Sequence, residues 1–241
     1  MRMLVAAACI VAAIQPAWAG SYVVGVEETQ YFPQYTYENG QYGGFARDLL
    51  DAFAADRGHL FTYKALPVVR LFGEFAAGTV DLKYPDNAQW SPDVKAGKTI
   101  LYSDPVVTNI DGVNILAANK DAPVDAIRTL GTVKGFTAWS WADRVKAGQV
   151  QLTENNTFNG LVQQALAGRI DGAYASLSVV AYQLKTMNKE GALVFAPQLP
   201  HQKSDYHLSS LKHPLLIAEF NQWLRDKAAT VVALKRKYGI D

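Results

Sequence analysis

The chain has 241 residues, 49% hydrophobic and 19% charged, which is enough apolar material for a sizeable core in one or two domains. Its formal net charge is +1 at pH 7 without a basic cluster, which argues against nucleic acid or an anionic membrane as partner. Cys9 is the only cysteine, so the rest of the chain has no disulfide and no thiolate metal ligand.

Residues 1–19 have the pattern of a cleaved secretory signal peptide. Arg2 supplies the positive start, residues 4–14 form an apolar core, and residues 17–19 (Ala-Trp-Ala) give the small-residue cleavage site. No later stretch reaches the roughly 20 apolar residues of a membrane-spanning helix. We therefore expect a soluble mature chain in the periplasm.

The first half of the mature chain alternates strands and helices. The predicted elements are a strand at 21–26, a helix at 45–57, a strand at 60–66, a helix at 68–77 and a strand from 80 onward. This β-α-β-α-β order predicts a parallel sheet, since parallel neighbours need a crossover helix.

An aromatic loop follows the first predicted strand. Five aromatic residues fall between 31 and 42, with turn residues at 39–40 and 43–44. Loops at the carboxyl ends of strands are where open α/β sheets bind ligands. Tyr31, Phe32 and Tyr35 are therefore candidates for a ligand-binding wall, and the alternative is that they fill a small satellite core.

Residues 80–116 pass from this first unit to a second one. A proline-broken polar loop contains Asp86, Asn87 and Trp90 and precedes predicted strands at 99–102 and 112–117. A loop rich in donors and acceptors between two α/β units indicates a cleft. We expect these three side chains to line it.

The second half repeats the alternation. The predicted strands are 130–134, 150–152, 170–175 and 193–196, the last as the return connection, and the predicted helices are 142–147, 159–167, 178–187 and 214–238. The turn after 134 contributes Thr137, Trp139 and Trp141, and Ser176 follows the third strand. Either tryptophan could stack on a ligand or pack inside its own unit.

Sequence motifs for cofactor or metal chemistry are missing. The chain has no glycine-rich phosphate loop, no zinc signature and no nucleophile elbow, and its four histidines lack metal-ligand spacing. We expect no cofactor and no metal. Acid–base catalysis stays open, because carboxylates brought together by folding cannot be identified from sequence.

Five segments in one order resemble the periplasmic solute-binding proteins of polar amino-acid ABC importers. They are V-G-V-E-E-T-Q-Y-F-P-Q-Y at 24–35, G-G-F-A-R-D-L-L-D-A-F at 43–53, G-T-V-D at 78–81, Y-S-D-P-V at 102–106 and A-L-A-G-R-I-D-G-A-Y at 165–174. The resemblance implies an α/β fold of two lobes, each a mostly parallel sheet flanked by helices, with two hinge crossings.

The same resemblance implies that residues 20–107 and 203–241 form the first lobe, and that 108–202 form an inserted second lobe. It implies a monomer that holds a small polar solute in the interlobe cleft, closes around it by a hinge and delivers it to a membrane permease. Such a protein is not an enzyme.

Two departures put a free amino acid in doubt as the ligand. Members that bind α-amino acids usually carry an arginine ahead of the Ser-Asp-Pro element, to clamp the carboxylate, whereas this chain has only Lys95 and Lys98 there. Ser176 stands near the usual position of the aspartate that pairs with the ligand ammonium. Asp86 is a candidate for the replacement charge, although Asp before Asn is often only a turn former.

Two alternatives remain on the same scaffold. One is a lyase resembling cyclohexadienyl dehydratases, in which Asp86 or Glu28 would transfer a proton. The other is an accessory or sensor subunit that binds a protein partner.

Overall fold

A computed structural model describes residues 19–240. The signal peptide predicted at 1–19, with Cys9, lies outside the described residues except for Ala19. Among the described helices, none is both long and apolar enough to cross a membrane.

The described chain contains twelve strands and eight α-helices. The strands are β1 (Ser21–Glu27), β2 (Thr36–Glu38), β3 (Gln41–Gly43), β4 (Leu60–Leu66), β5 (Leu82–Asp86), β6 (Leu101–Tyr102), β7 (Val107–Leu116), β8 (Thr129–Val133), β9 (Gln151–Asn155), β10 (Gly172–Ser176), β11 (Leu193–Phe195) and β12 (Gln202–Ser210). The helices are α1 (Phe45–Arg57), α2 (Val68–Ala76), α3 (Pro92–Lys95), α4 (Ala142–Lys146), α5 (Phe158–Leu166), α6 (Leu177–Thr186), α7 (Pro214–Asp226) and α8 (Ala228–Tyr238).

The first lobe is built on the predicted β-α-β-α-β unit, which is confirmed. β4, β1 and β5 are neighbours in that order and run parallel. α1 buries Phe45, Leu49 and Phe53 at helical spacing, each with 0% exposure. It ends at Gly58, whose φ of 73° is the left-handed conformation that glycine adopts without a Cβ clash.

The second lobe shows the same alternation of strands and helices. β8 pairs in parallel with β9 on one side and with β10 on the other, and α5 and α6 pack together over the sheet. A separate set of buried residues, including Trp141, Leu130 and Val113, forms a core in this lobe. The α/β fold with two lobes is therefore confirmed.

Two long strands join the lobes. β7 and β12 pair antiparallel, and residues 202–206 of β12 face β7, whereas residues 207–210 face β5 and β6. β12 therefore belongs to both lobes, and the sheet runs in the order β4-β1-β5-β12-β7-β10-β8-β9. The two crossings lie side by side in β7 and β12, which is where a hinge between the lobes would lie.

The strand pattern alone suggested residues 193–196 as the return connection, and the structure corrects this. The strand predicted at 193–196 is β11, which pairs with β7 inside the second lobe. The return is β12, whose sequence is too polar to indicate a strand. It is a strand because neighbours on both edges satisfy its backbone donors and acceptors.

Three smaller expectations also need correction. The helix predicted at 214–238 is two helices that meet at Lys227. The aromatic loop contains a hairpin, β2–β3, whose turn residues Asn39 and Gly40 both have positive φ. The strand predicted at 150–152 is longer than expected, because β9 continues to Asn155.

Candidate functional site

A cavity lies between the lobes where strands from both lobes end. Its lining includes the last residue of β1 and the last three residues of β10, as expected for a site at the carboxyl ends of parallel strands. The lining residues are Glu27, Tyr31, Val68, Phe72, Trp90, Asp111, Thr132, Gly135, Phe136, Thr137, Phe158, Tyr174, Ala175, Ser176 and Tyr206. In this arrangement of the lobes its volume is about 40 Å³, so the space between the two lobes is narrow.

Aromatic rings of the two lobes contact one another around this cavity. Tyr31 of the first lobe stacks on Phe136 of the second, with ring centroids 5.5 Å apart, and meets Phe158 edge-on at 4.9 Å. Phe32 of the first lobe packs against Tyr182 of the second at 4.4 Å. The aromatic loop is thus both a cavity wall and an interlobe contact.

Gly135 allows the close approach of the two lobes. Its φ is 88°, and a Cβ built there would lie 3.0 Å from the Cβ of Val68 in α2. Any side chain at this position would meet the facing lobe as well as backbone strain. The turn after β8 is therefore shaped for the closed arrangement.

A buried charge network supports the first-lobe wall. The Lys83 ammonium lies 4.0 Å from Glu27 Oε1 and 3.6 Å from Asp86 Oδ1, and Asp86 Oδ1 also accepts a 2.7 Å hydrogen bond from Lys95. Tyr35 donates a hydrogen bond to Glu27. Burial raises the pKa of Glu27 against the opposing charge of Lys83, and burial lowers the pKa of Lys95. These charges pair with one another and do not line the cavity, except for Glu27.

Asp111 is the other carboxylate of the cavity. It lies on β7, opposite Ser176 of β10 and Gln202 of β12, so its backbone is fixed by strands on both sides. Burial raises the pKa of Asp111 to about 6, and the nearby Ser204 hydroxyl acts in the opposite direction. The Tyr31 and Tyr206 hydroxyls lie 2.9 Å apart, and burial raises the pKa of both, with a smaller contribution from the charge of Asp111.

Four of the ten predicted site residues line the cavity. They are Tyr31, Trp90, Thr137 and Ser176. Their contact with a ligand stays a prediction.

The other six lie elsewhere. Asp86 is fully buried in the charge network, and the Asn87 side chain donates to the Asp205 carbonyl at 2.8 Å. Tyr35 stacks behind Tyr31. Trp139 starts a 3₁₀ turn outside the cavity lining.

Trp141 and Phe32 have packing roles in the structure. Trp141 has 0% exposure in the second-lobe core, and its Nε1 donates to the Pro200 carbonyl at 2.9 Å. Phe32 faces Tyr182 across the lobes and is not among the cavity residues. The Trp141 ring is therefore enclosed in the core of its own lobe, contrary to the expectation that it stacks on a ligand.

Sequence reasoning missed Glu27 and Asp111. A signal for Glu27 was present, since it ends the apolar strand β1, and Asp111 comes directly before the strand predicted at 112–117. Each carboxylate in a strand is costly unless it is paired or faces a site. The proton-transfer roles considered for Asp86 and Glu28 have no support in this geometry, because Asp86 is enclosed and Glu28 is exposed outside the cavity.

Comparison with known proteins identifies the fold. No protein-family model matches the chain, and no curated protein matches it in sequence. Among solved structures, an ancestral arginine-binding protein bound to arginine is similar with a TM-score of 0.72 and 18% identity, over 91% of this chain and 98% of that one.

Two further structures are similar over nearly the whole chain. A histidine kinase sensor domain with similarity to periplasmic binding proteins gives a TM-score of 0.72 at 18% identity, over 90% of this chain and 95% of that one. A substrate-binding protein of an ABC uptake transporter from Streptococcus pneumoniae, with bound histidine, gives 0.71 at 17% identity, over 90% and 92%. The chain therefore has the two-lobe fold of the type II periplasmic binding proteins.

Proposed function

We propose that this chain is a solute-binding protein that captures a small polar solute between its lobes for an ABC importer. The observation that carries the proposal is the cavity, which draws its lining from both lobes and from the crossing strands. A site divided between two lobes couples binding to hinge closure, since the solute makes all its contacts only in the closed form. The similar structures with bound arginine and histidine support this use of the fold.

The proposal includes the organisation of the chain. Residues 20–107 and 203–241 move as one lobe and 108–202 as the other, with the hinge in β7 and β12. The mature chain acts as a monomer in the periplasm after removal of residues 1–19, and its partner is a membrane permease. It releases the solute to the permease unchanged.

The test is thermal unfolding of the mature chain, refolded to remove carried-over solute, against a panel of amino acids, amines, organic acids and sugars. A true ligand at 100 times its dissociation constant adds about 2.7 kcal/mol, or roughly 5–10 °C for a chain of this size. The compound is then recovered and its mass compared with the starting material. We expect one chemical class to raise the midpoint and to return unchanged.

A matched pair of variants locates that effect. Thr137→Trp places a large ring in the cavity from an exposed position and should abolish the shift, whereas Thr99→Trp, also exposed but outside the cavity, should keep it. A converted compound would instead establish an enzyme. A panel without any response, with a protein captured in its place, would favour the sensor or accessory alternative.

A further inference from the structure

We infer that the solute is an organic cation without a carboxylate, an amine or quaternary ammonium whose charge is met by Asp111 and whose flanks pack against the aromatic walls. This inference rests on the proposed function, because it names the solute of the same cleft.

The first support is an unbalanced negative charge. The cavity and the network beneath it contain three carboxylates, Glu27, Asp86 and Asp111, and two ammonium groups, Lys83 and Lys95, so the sum is 2 − 3 = −1. The first two carboxylates already have ammonium partners. Asp111 has none among the described residues, and a bound cation would supply it.

The second support is the aromatic surface around Asp111. Tyr31, Phe72, Trp90, Phe136 and Tyr206 all line the cavity. Ring faces attract ammonium groups through their quadrupole, and the attraction grows when water is excluded.

The same wall already binds an ammonium of the protein itself. The Lys83 Nζ lies 4.2 Å from the centroid of Phe72 and 5.7 Å from that of Trp90. These rings therefore have geometry compatible with cation–π contact within the folded chain.

The third support is the absence of an anion clamp. No lysine, arginine or histidine lines the cavity among the described residues. Lys95 is committed to Asp86 and to the Asn87 carbonyl, and Lys98 is exposed.

The turn after β8 does not replace the clamp either. The Phe136 N–H already donates to the Val133 carbonyl at 2.9 Å, and α4, which follows the turn, has only five residues. A zwitterionic amino acid would therefore place its carboxylate near Asp111 and Glu27 without a cationic side chain of the cavity lining to balance it.

The experiment compares amines with their parent amino acids by titration calorimetry of the refolded mature chain. The pairs are agmatine with arginine, cadaverine with lysine, histamine with histidine and choline with glycine betaine. We expect at least one amine to bind and its carboxylated partner to bind at least tenfold more weakly.

Asp111→Asn should weaken the binding amine by about 100-fold, as a hydrogen-bonded charge pair is lost. The refolded variant should unfold at the same or a higher temperature at pH 8, because it no longer carries a desolvated carboxylate. Asp121→Asn, on the exposed surface of the second lobe, is the matched control and should leave the affinity unchanged.

The affinity should also depend on pH. Asp111 must be ionised to bind a cation, so affinity should fall by up to tenfold per unit as pH drops below about 6. The groups that face Asp111 are Tyr31, Tyr174 and Tyr206, with Glu27 across the cavity, and the tyrosines are neutral throughout this range. Asp111→Asn should reduce this slope, whereas a contribution of Glu27 would survive in the variant.

The outcomes separate this inference from the proposed function. Tight binding of amino acids or organic acids that is unaffected by Asp111→Asn would overturn the cationic solute and leave the binding protein standing. If no compound of the wider panel raised the unfolding midpoint, the proposed function itself would be wrong.

Discussion

Replacing Asp86 with alanine should lower the free energy of unfolding by about 3–5 kcal/mol, the usual cost of breaking a buried ion pair from one side. Asp86 has 0% exposure and accepts hydrogen bonds of 2.7 Å from both Lys95 and Ser209. The ammonium of Lys83 lies 3.6 Å away. Without the carboxylate, Lys95 loses its ion-pair partner, and Lys83 keeps only the more distant Glu27.

Urea unfolding at several pH values measures this effect. Burial already lowers the pKa of Lys95, and removal of Asp86 should lower it further. A lysine with a lowered folded-state pKa destabilises the fold below that pKa, and the penalty disappears as pH rises toward the unfolded value of about 10.4. The deficit of Asp86→Ala should therefore be largest at neutral pH and shrink at pH 9–10.

Asp93→Ala is the control, since Asp93 is exposed at the start of α3. It should change stability by less than about 0.5 kcal/mol. If Asp86→Ala were as mild as its control, or if the solute were lost while stability stayed unchanged, Asp86 would be a ligand contact and not part of the support beneath the cleft.

Replacing Trp141 with alanine should cost about 3–5 kcal/mol, because it empties a large volume in the second-lobe core. It also leaves the Pro200 carbonyl without the indole donor. Trp141→Phe should recover most of the packing and keep full solute affinity.

For Trp90 we expect the opposite of Trp141, namely a larger effect on solute affinity than on stability. It is half-buried and lines the cavity, so Trp90→Ala should reduce affinity more than stability. Thermal unfolding and calorimetry on the three variants measure both quantities. Loss of solute binding in a stably folded Trp141→Phe would place this ring at the ligand after all.

The first lobe could be predicted from sequence because its signals are local. α1 shows apolar residues at helical spacing and a glycine directly after its end, and both bounds were predicted without error. β1 and β4 are apolar or β-branched enough to be recognised alone. The parallel order then follows from the crossover rule.

β12 and the α7–α8 break could not be predicted because they depend on distant contacts. β12 is polar and becomes a strand only between β7 and β5, more than 90 residues earlier in the chain. Lys227, where α7 and α8 meet, is an ordinary helix-forming residue.

The candidate site was predicted only in part for a related reason. An aromatic residue in a loop indicates contact with something, but the sequence does not say whether this is a ligand or a neighbouring element. Tyr31 and Trp90 line the cavity, whereas Trp141 is buried in the core of its own lobe. Asp111 was missed because the strand was predicted to begin at 112, whereas β7 begins at Val107 and contains Asp111.

The central claim is that the two lobes close around a solute bound in the cleft. Fluorescence energy transfer between a donor on one lobe and an acceptor on the other tests this claim most directly. Cys9 is the only cysteine, so a chain produced from residue 20 onward has none, and Leu60→Cys in the first lobe and Lys146→Cys in the second can be labelled specifically. Both positions are exposed. A compound that raises the unfolding midpoint should increase the closed population, and Thr137→Trp should abolish the change. Unchanged transfer efficiency with that compound bound would contradict closure of the lobes around a cleft solute.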